Sequence, residues 1–148
     1  MSDVLLDALT ASQQLITAMI RIAYDDRMAR VGAWNLRDIA AHLAASDREA
    51  FEPRIRAIAS GSRPTFGFYN NDETDFSGVQ LDDALAEWAA TRARLVDFVR
   101  GLTAEQRALV GLHEKYGEVS IDRYLQIALD HDRGHLRDVE RLAGELAR

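Results

Sequence analysis

The hydrophobic residues of this chain recur with helical spacing over four long stretches, and almost nothing alternates with the period of two that marks a β-strand. These stretches cover about residues 4–23, 35–58, 81–99 and 121–146. Each carries an apolar stripe on one face and polar residues on the other. Four amphipathic helices in 148 residues predict an all-α four-helix bundle, with the whole chain, residues 1–148, forming a single domain.

The second predicted helix has a clear start and an irregular middle. Asn35 is placed as its N-cap, and Asp38 puts a carboxylate near the positive end of the helix. Pro53 lies well inside the apolar periodicity. Because proline lacks a backbone N–H and clashes with the preceding turn, we expect the helix to bend there.

Three histidines lie on the inward shoulders of two predicted helices. His131 and His135 are four residues apart in "DHDRGHLRD" and therefore share one face of the last helix, and His42 lies at a similar shoulder of the second helix. Ser46 and Glu49 continue along the row of His42. The alternative is that His131 and His135 are only solvated or packed in the core and bind no metal. Three imidazoles would leave a bound metal at least one open position, as in catalytic sites.

One arginine falls at the centre of an apolar stripe. Arg92 lies there on the third helix, and Asp132 lies near the centre of the stripe on the fourth. A buried charge must be paired, so we expect Arg92 to meet Asp132, or Asp47 on the second helix, and to steady the helix that bears the histidines. The alternative is that Arg92 extends past its neighbours to solvent.

Residues 61–78, "GSRPTFGFYNNDETDFSG", form a connection too long for a simple turn. Its aromatic residues Phe66, Phe68 and Tyr69 are predicted to cover a substrate pocket beside the three histidines. The alternatives are that they plug one end of the bundle or pack against another subunit. His113, in the connection before the last helix, is predicted either at the mouth of this pocket or as a solvated loop residue.

Composition removes several classes of function. The formal net charge of −6, without a basic stripe, argues against a nucleic-acid partner. The chain has no cysteine, which excludes disulfides, thiolate ligands and a cysteine nucleophile. No apolar run is long enough to span a membrane and no signal-peptide pattern is present, so a cytoplasmic protein without a membrane partner is expected.

Three segments resemble the DinB/YfiT-like superfamily: "WNLRDIAAHLAASDRE" at 34–49, "EWAATRARL" at 87–95 and "GEVSIDRYLQIALDHDRGHLRDVERL" at 117–142. The resemblance covers nearly the whole chain. It implies an up-up-down-down bundle, a homodimer, and a divalent metal (zinc, nickel or iron) held by His42, His131 and His135. Asn35 departs from the commoner Ser or Thr after the tryptophan, which is a conservative change for a helix cap.

The resemblance also implies a metal-dependent enzyme acting on a small molecule. The first hypothesis is a thiol-dependent S-transferase or isomerase that uses a bacterial low-molecular-weight thiol, since coordination deprotonates a thiol. The second is a hydrolase in which the metal activates water and Glu49 acts as the base. The third is a non-catalytic, stress-related bundle whose metal is structural or absent. A structural site should be closed by a fourth protein ligand.

Overall fold

The computed structural model describes residues 3–24 and 34–146, and most of these residues are helical. The helices and strands are, in chain order, α1 (Val4–Ala23), α2 (Leu36–Ser46), a π-helical segment (Asp47–Phe51), α3 (Glu52–Ala59), β1 (Thr65–Phe66), α4 (Leu81–Arg100), α5 (Ala104–Arg107), β2 (Val110–His113), β3 (Gly117–Ser120) and α6 (Ile121–Leu146). The predicted predominantly helical fold is therefore confirmed. No helix in the described part of the chain is both long and apolar enough to cross a membrane.

The long helices pack around a continuous apolar interior. Helix α1 packs against α6 and α4, and α2 packs against α4. Two apolar clusters fill the space between them, one around Trp88 and Leu43 and the other around Leu95 and Leu125. The up-up-down-down order of the helices stays a prediction.

The second predicted helix is one uninterrupted helical run that changes type in the middle. The predicted cap is confirmed, because the Asn35 side chain accepts from the Asp38 N–H at 2.9 Å and Asp38 accepts from the Asn35 N–H at 3.0 Å. The irregularity lies just before Pro53, where the Glu52 N–H donates to the Asp47 carbonyl five residues earlier. This wider turn takes up one extra residue, and Pro53 sits in the first turn of α3 beyond it.

The structure contains a small sheet that the periodicity did not predict. Strand β1 pairs in parallel with β2, and β2 pairs antiparallel with β3. Strand β1 belongs to the 61–78 connection, so the pairing ties this connection to the hairpin that precedes α6. A Cβ atom added at Gly111 in β2 would lie 3.0 Å from the Pro64 carbonyl oxygen, so the close approach of the two segments favours a residue without a side chain.

Candidate metal centre

The three histidines come together between α2 and α6. His42 projects from α2, and His131 and His135 project from adjacent turns of α6. The Nε2 atom of His42 lies 3.0 Å from the Nε2 atom of His131 and 2.9 Å from that of His135. The same ring nitrogen of all three side chains therefore points at one common position.

The cluster has the spacing and the protonation state that a divalent ion needs. Three imidazole nitrogens bound at about 2.0–2.1 Å to one ion lie about 2.9–3.4 Å apart, which matches the two measured distances. Burial lowers the pKa of His42 to about 4 and that of His131 to about 2, and it also lowers the pKa of His135. All three rings are neutral at pH 7, so their Nε2 lone pairs are available to a metal.

Asn71 orients the first of these rings. This buried residue of the 61–78 connection places its Oδ1 atom 2.5 Å from Nδ1 of His42, so it accepts the Nδ1–H and leaves Nε2 free. The Asn71 amide donates to the Tyr69 hydroxyl at 3.0 Å and to Ser46 Oγ at 3.3 Å. Sequence reasoning missed Asn71, and the unusual length of the connection was the only signal that pointed toward it.

The other two histidines lack a hydrogen bond of this kind. Nδ1 of His131 and Nδ1 of His135 are both buried without a hydrogen-bond partner among the described residues. Nδ1 of His135 does lie 3.3 Å from a carboxylate oxygen of Asp138, close enough for an ion-pair contact. Sequence reasoning missed Asp138, although its spacing of three residues from His135 on the same helix is a signal that could have found it.

A buried ion-pair network lies next to the cluster. Arg92 contacts both candidate carboxylates at once, with Nε 2.8 Å from Asp47 and Nη1 2.7 Å from Asp132. Burial opposes the charge on Arg92, but the two carboxylates outweigh it and raise its pKa above the ordinary value. Asp47 belongs to the π-helical segment and Asp132 follows His131, so the network joins the π-helical segment, α4 and α6 beside the histidines. Its role in steadying the metal ligands stays a prediction.

A cavity of about 560 Å³ opens onto the histidine cluster. All three histidines contribute to its lining. Four of the residues predicted for the pocket or its cover also line it: Ser46, Phe68, Tyr69 and His113. The backbone N–H of Lys115 donates to Nδ1 of His113 at 3.0 Å, and His113 is buried.

Two predicted residues lie outside the cavity lining. Phe66 packs edge-to-face on Tyr124, with the ring centroids 6.1 Å apart. Glu49 is exposed, forms an ion pair with Arg48 at 3.2 Å and accepts a hydrogen bond from the Tyr69 hydroxyl. That hydrogen bond holds the pKa of Glu49 below its usual value. The arrangement gives Glu49 a contact with a cavity residue rather than with the cavity itself.

The fold and the histidine cluster define a helical-bundle protein with a candidate divalent-metal site. The profile of the DinB superfamily matches residues 8–139, and the chain belongs to that superfamily. No curated protein sequence matches it. Among solved structures, YfiT from Bacillus subtilis is similar, with a TM-score of 0.79 and 18% sequence identity over 99% of this chain and 90% of that chain. YfiT is described as a probable metal-dependent hydrolase with an unusual four-helix bundle topology.

Proposed function

We propose that this protein is a metal-dependent enzyme that transfers a small thiol to an electrophilic substrate, with a divalent ion held by His42, His131 and His135. The observation that carries the proposal is the convergence of three neutral imidazole nitrogens beside a cavity. Among the described residues, the cluster contains three ligand groups and no fourth. This favours a site that exchanges ligands over the closed site of a structural metal.

A bound divalent ion would supply Lewis acidity, which lowers the pKa of a thiol or of water at its open position. The protein's own residues do the rest. Asn71 keeps the His42 ring in the orientation and tautomer that present Nε2. The apolar and aromatic lining of the cavity, including Phe51 and Tyr124, excludes bulk water from the reacting groups.

The position of Glu49 counts against Glu49 as the base of a hydrolase. Activation of water for hydrolysis needs a base in the pocket, and Glu49 does not line the cavity. A thiol bound at the open position of such an ion would lose its proton without such a base. In the transfer the S–H proton would be released and an S–C bond would form. An alkyl halide would lose halide with its electron pair, whereas the oxygen of an opened epoxide or the neighbouring carbon of an activated alkene would keep the electron pair and take up a proton.

Hydrolysis is the second candidate, because two other carboxylates do line the cavity. Asp72 and Asp130 both contribute to its surface, and the charge on Asp72 acts on His42 and His135. Asp72 is therefore the carboxylate placed to receive a proton from water near the histidines. It follows Asn71 directly in the 61–78 connection.

The test is an activity screen of the protein reconstituted with Zn²⁺, Ni²⁺ or Fe²⁺. Loss of free thiol is followed with a panel of alkyl halides, epoxides and activated alkenes, and hydrolysis is followed with esters and amides. We expect metal-dependent thiol consumption that is lost in His131→Ala. Hydrolysis that is lost in Asp72→Asn, without thiol consumption, would favour the second candidate. The absence of both activities with all three metals would contradict an enzymatic role.

We also propose a homodimer formed through α1. Six apolar residues recur along one face of α1 at alternating spacings of four and three: Val4, Ala8, Ala11, Leu15, Ala18 and Ile22. Val4 and Ile22 are 79% and 86% exposed, whereas Ala8 is partly buried against the core. Antiparallel pairing centred on Gln14 would place Asp7 opposite Arg21 of the partner subunit, and within one chain these two side chains pair with Arg100 and Asp82. Light scattering should show a dimer that Leu15→Glu converts to a monomer, and a monomeric wild-type protein would contradict the proposal.

A further inference from the structure

Three cationic side chains line the end of the cavity that the histidines do not occupy. They are Arg54 from α3, Lys115 from the β2–β3 hairpin and Arg123 from α6. None of the three forms an ion pair with a described residue, whereas Arg63 and Arg94 nearby pair with glutamates. In a protein with a formal net charge of −6, three unpaired cations around one cavity need an explanation.

Arg54 is held in place by aromatic residues rather than by an acid. Its Nη1 atom donates to the hydroxyl of Tyr124 at 3.0 Å, and its guanidinium lies 5.0 Å from the centre of the Phe66 ring. Tyr124 is buried. These contacts fix the guanidinium plane and leave most of its five N–H donors without a protein acceptor.

Lys115 and Arg123 share one aromatic neighbour at the same end. The Lys115 ammonium lies 5.4 Å from the centre of the Tyr116 ring and 5.7 Å from that of Phe68, and the Arg123 guanidinium lies 5.9 Å from that of Tyr116. The aromatic rings place both cations beside the cavity without neutralising them.

The charges along the cavity are sorted by sign. Arg123 precedes His131 by eight residues on α6, which corresponds to about 12 Å along the helix axis. Of the two carboxylates in the lining, Asp72 lies near the histidines, since its charge acts on His42 and His135. Asp130 is exposed and accepts a hydrogen bond from Gln126 at 3.0 Å. One end of the cavity is therefore suited to a metal ion and the other to an anion.

The π-helical segment is what places Arg54 in the cavity. Twelve residues separate Arg54 from His42, and in a regular α-helix this spacing would rotate Arg54 by about 120° away from the histidine. The extra residue in the wide turn reduces the difference by about 100°, to about 20°. Both side chains line the same cavity as a result.

We propose that the substrate or co-substrate of this enzyme is an elongated small molecule whose distal end carries a carboxylate or phosphate, bound by Arg54 with Lys115 and Arg123. The inference rests on the proposed function, in which the other end of the substrate or co-substrate lies at the metal ion. A planar guanidinium donates two parallel hydrogen bonds to either oxyanion, and such charge-assisted bonds are the strong ones. The separation of the two charged ends selects a substrate by its length.

The test uses the Co²⁺-loaded protein and two matched series of thiols, from mercaptopropionate to mercaptoundecanoate and the mercaptoalkanols of equal length. Binding is followed by the sulfur-to-cobalt charge-transfer absorption. We expect the acid to bind about tenfold more tightly than the alcohol at an intermediate chain length, as one charge-assisted hydrogen bond provides. Arg54→Gln should bring this ratio close to one. Arg56→Gln, on the same helix but outside the cavity lining, should leave it unchanged.

Three results would overturn the inference or separate it from the metal chemistry. Equal affinity for acid and alcohol at every length refutes the anion site while the metal site stands. A ratio that survives Arg54→Gln refutes the assigned residue.

If no thiol produces the absorption band, the proposed thiol chemistry fails. Calorimetry of octanoate and octanol binding to the same protein then tests the anion site alone. Tighter binding of octanoate that depends on Arg54 supports it, and equal binding refutes it. Matched alkyl phosphates then show which oxyanion binds more tightly.

Discussion

Replacement of Arg92 by alanine should be among the most destabilising single changes in this protein. The Arg92 side chain is 2% exposed, as is that of Asp47, and that of Asp132 is 1% exposed. The substitution leaves two carboxylates facing each other without a cation. It also removes the donor that the Leu9 carbonyl accepts at 2.9 Å and leaves a void where the guanidinium was.

The size of the effect follows from these contacts. Breaking a buried ion pair by removing one partner costs about 3–5 kcal/mol, because a buried charge is left uncompensated. For a chain of this size each kcal/mol lowers the melting temperature by about 2–4 °C, so the expected fall is roughly 6–20 °C. Arg94→Ala is the matched control, since its side chain is 55% exposed and pairs with Glu52 at 3.5 Å. It should change stability by less than about 1 kcal/mol.

Urea unfolding and thermal unfolding, both followed by circular dichroism at pH 7, measure the free energy of unfolding and the melting temperature of both variants. A triple variant with Arg92→Met, Asp47→Asn and Asp132→Asn should be more stable than Arg92→Ala, because it removes the unpaired charges along with the cation. Equal and small losses for Arg92→Ala and Arg94→Ala would show that the network does not stabilise the fold. A triple variant no more stable than Arg92→Ala would show that the unpaired carboxylates are not the source of the cost.

Three further predictions concern the surroundings of the site. Asn71→Ala should weaken metal binding about 10–100-fold in a chelator competition, because His42 loses the acceptor that orients it, and undiminished affinity would contradict this. Glu49→Gln should lower activity less than about tenfold, whereas loss of a true general base costs about 10²–10⁴-fold, so a large loss would restore Glu49 as the base. Gly111→Ala should cost about 1–3 kcal/mol in urea unfolding, because its Cβ would crowd the Pro64 carbonyl, and an unchanged midpoint would refute that crowding.

The helices and the His131–His135 pair could be predicted because both depend on local spacing, and His42 could be added because it lies on the inward shoulder of the second helix. The apolar period fixes which faces turn inward, and the four-residue interval of His131 and His135 fixes their common face. Arg92 could be assigned a buried partner because a charge at the centre of an apolar stripe must be neutralised. The helical periodicity could not decide between Asp47 and Asp132 as the partner of Arg92, and the structure shows that Arg92 pairs with both.

The features that the sequence did not predict depend on contacts between segments that are distant in sequence. Strand β1 has two residues and β2 and β3 have four each, too short to establish an alternating pattern. Asn71 reaches His42 only because the connection folds back over α2, and no local pattern encodes that path. Pro53 marked an irregular helix but could not show whether the run would kink or widen by one residue.

The most direct test of the account is the metal content of four single histidine-to-alanine variants, measured by elemental analysis after purification and reconstitution with one divalent ion. The chain has four histidines, so His113→Ala is a matched control within the same cavity. We expect about one ion per wild-type chain, the same content in His113→Ala, and a sharp fall in His42→Ala, His131→Ala and His135→Ala. Full occupancy in any of these three variants would contradict the three-histidine site.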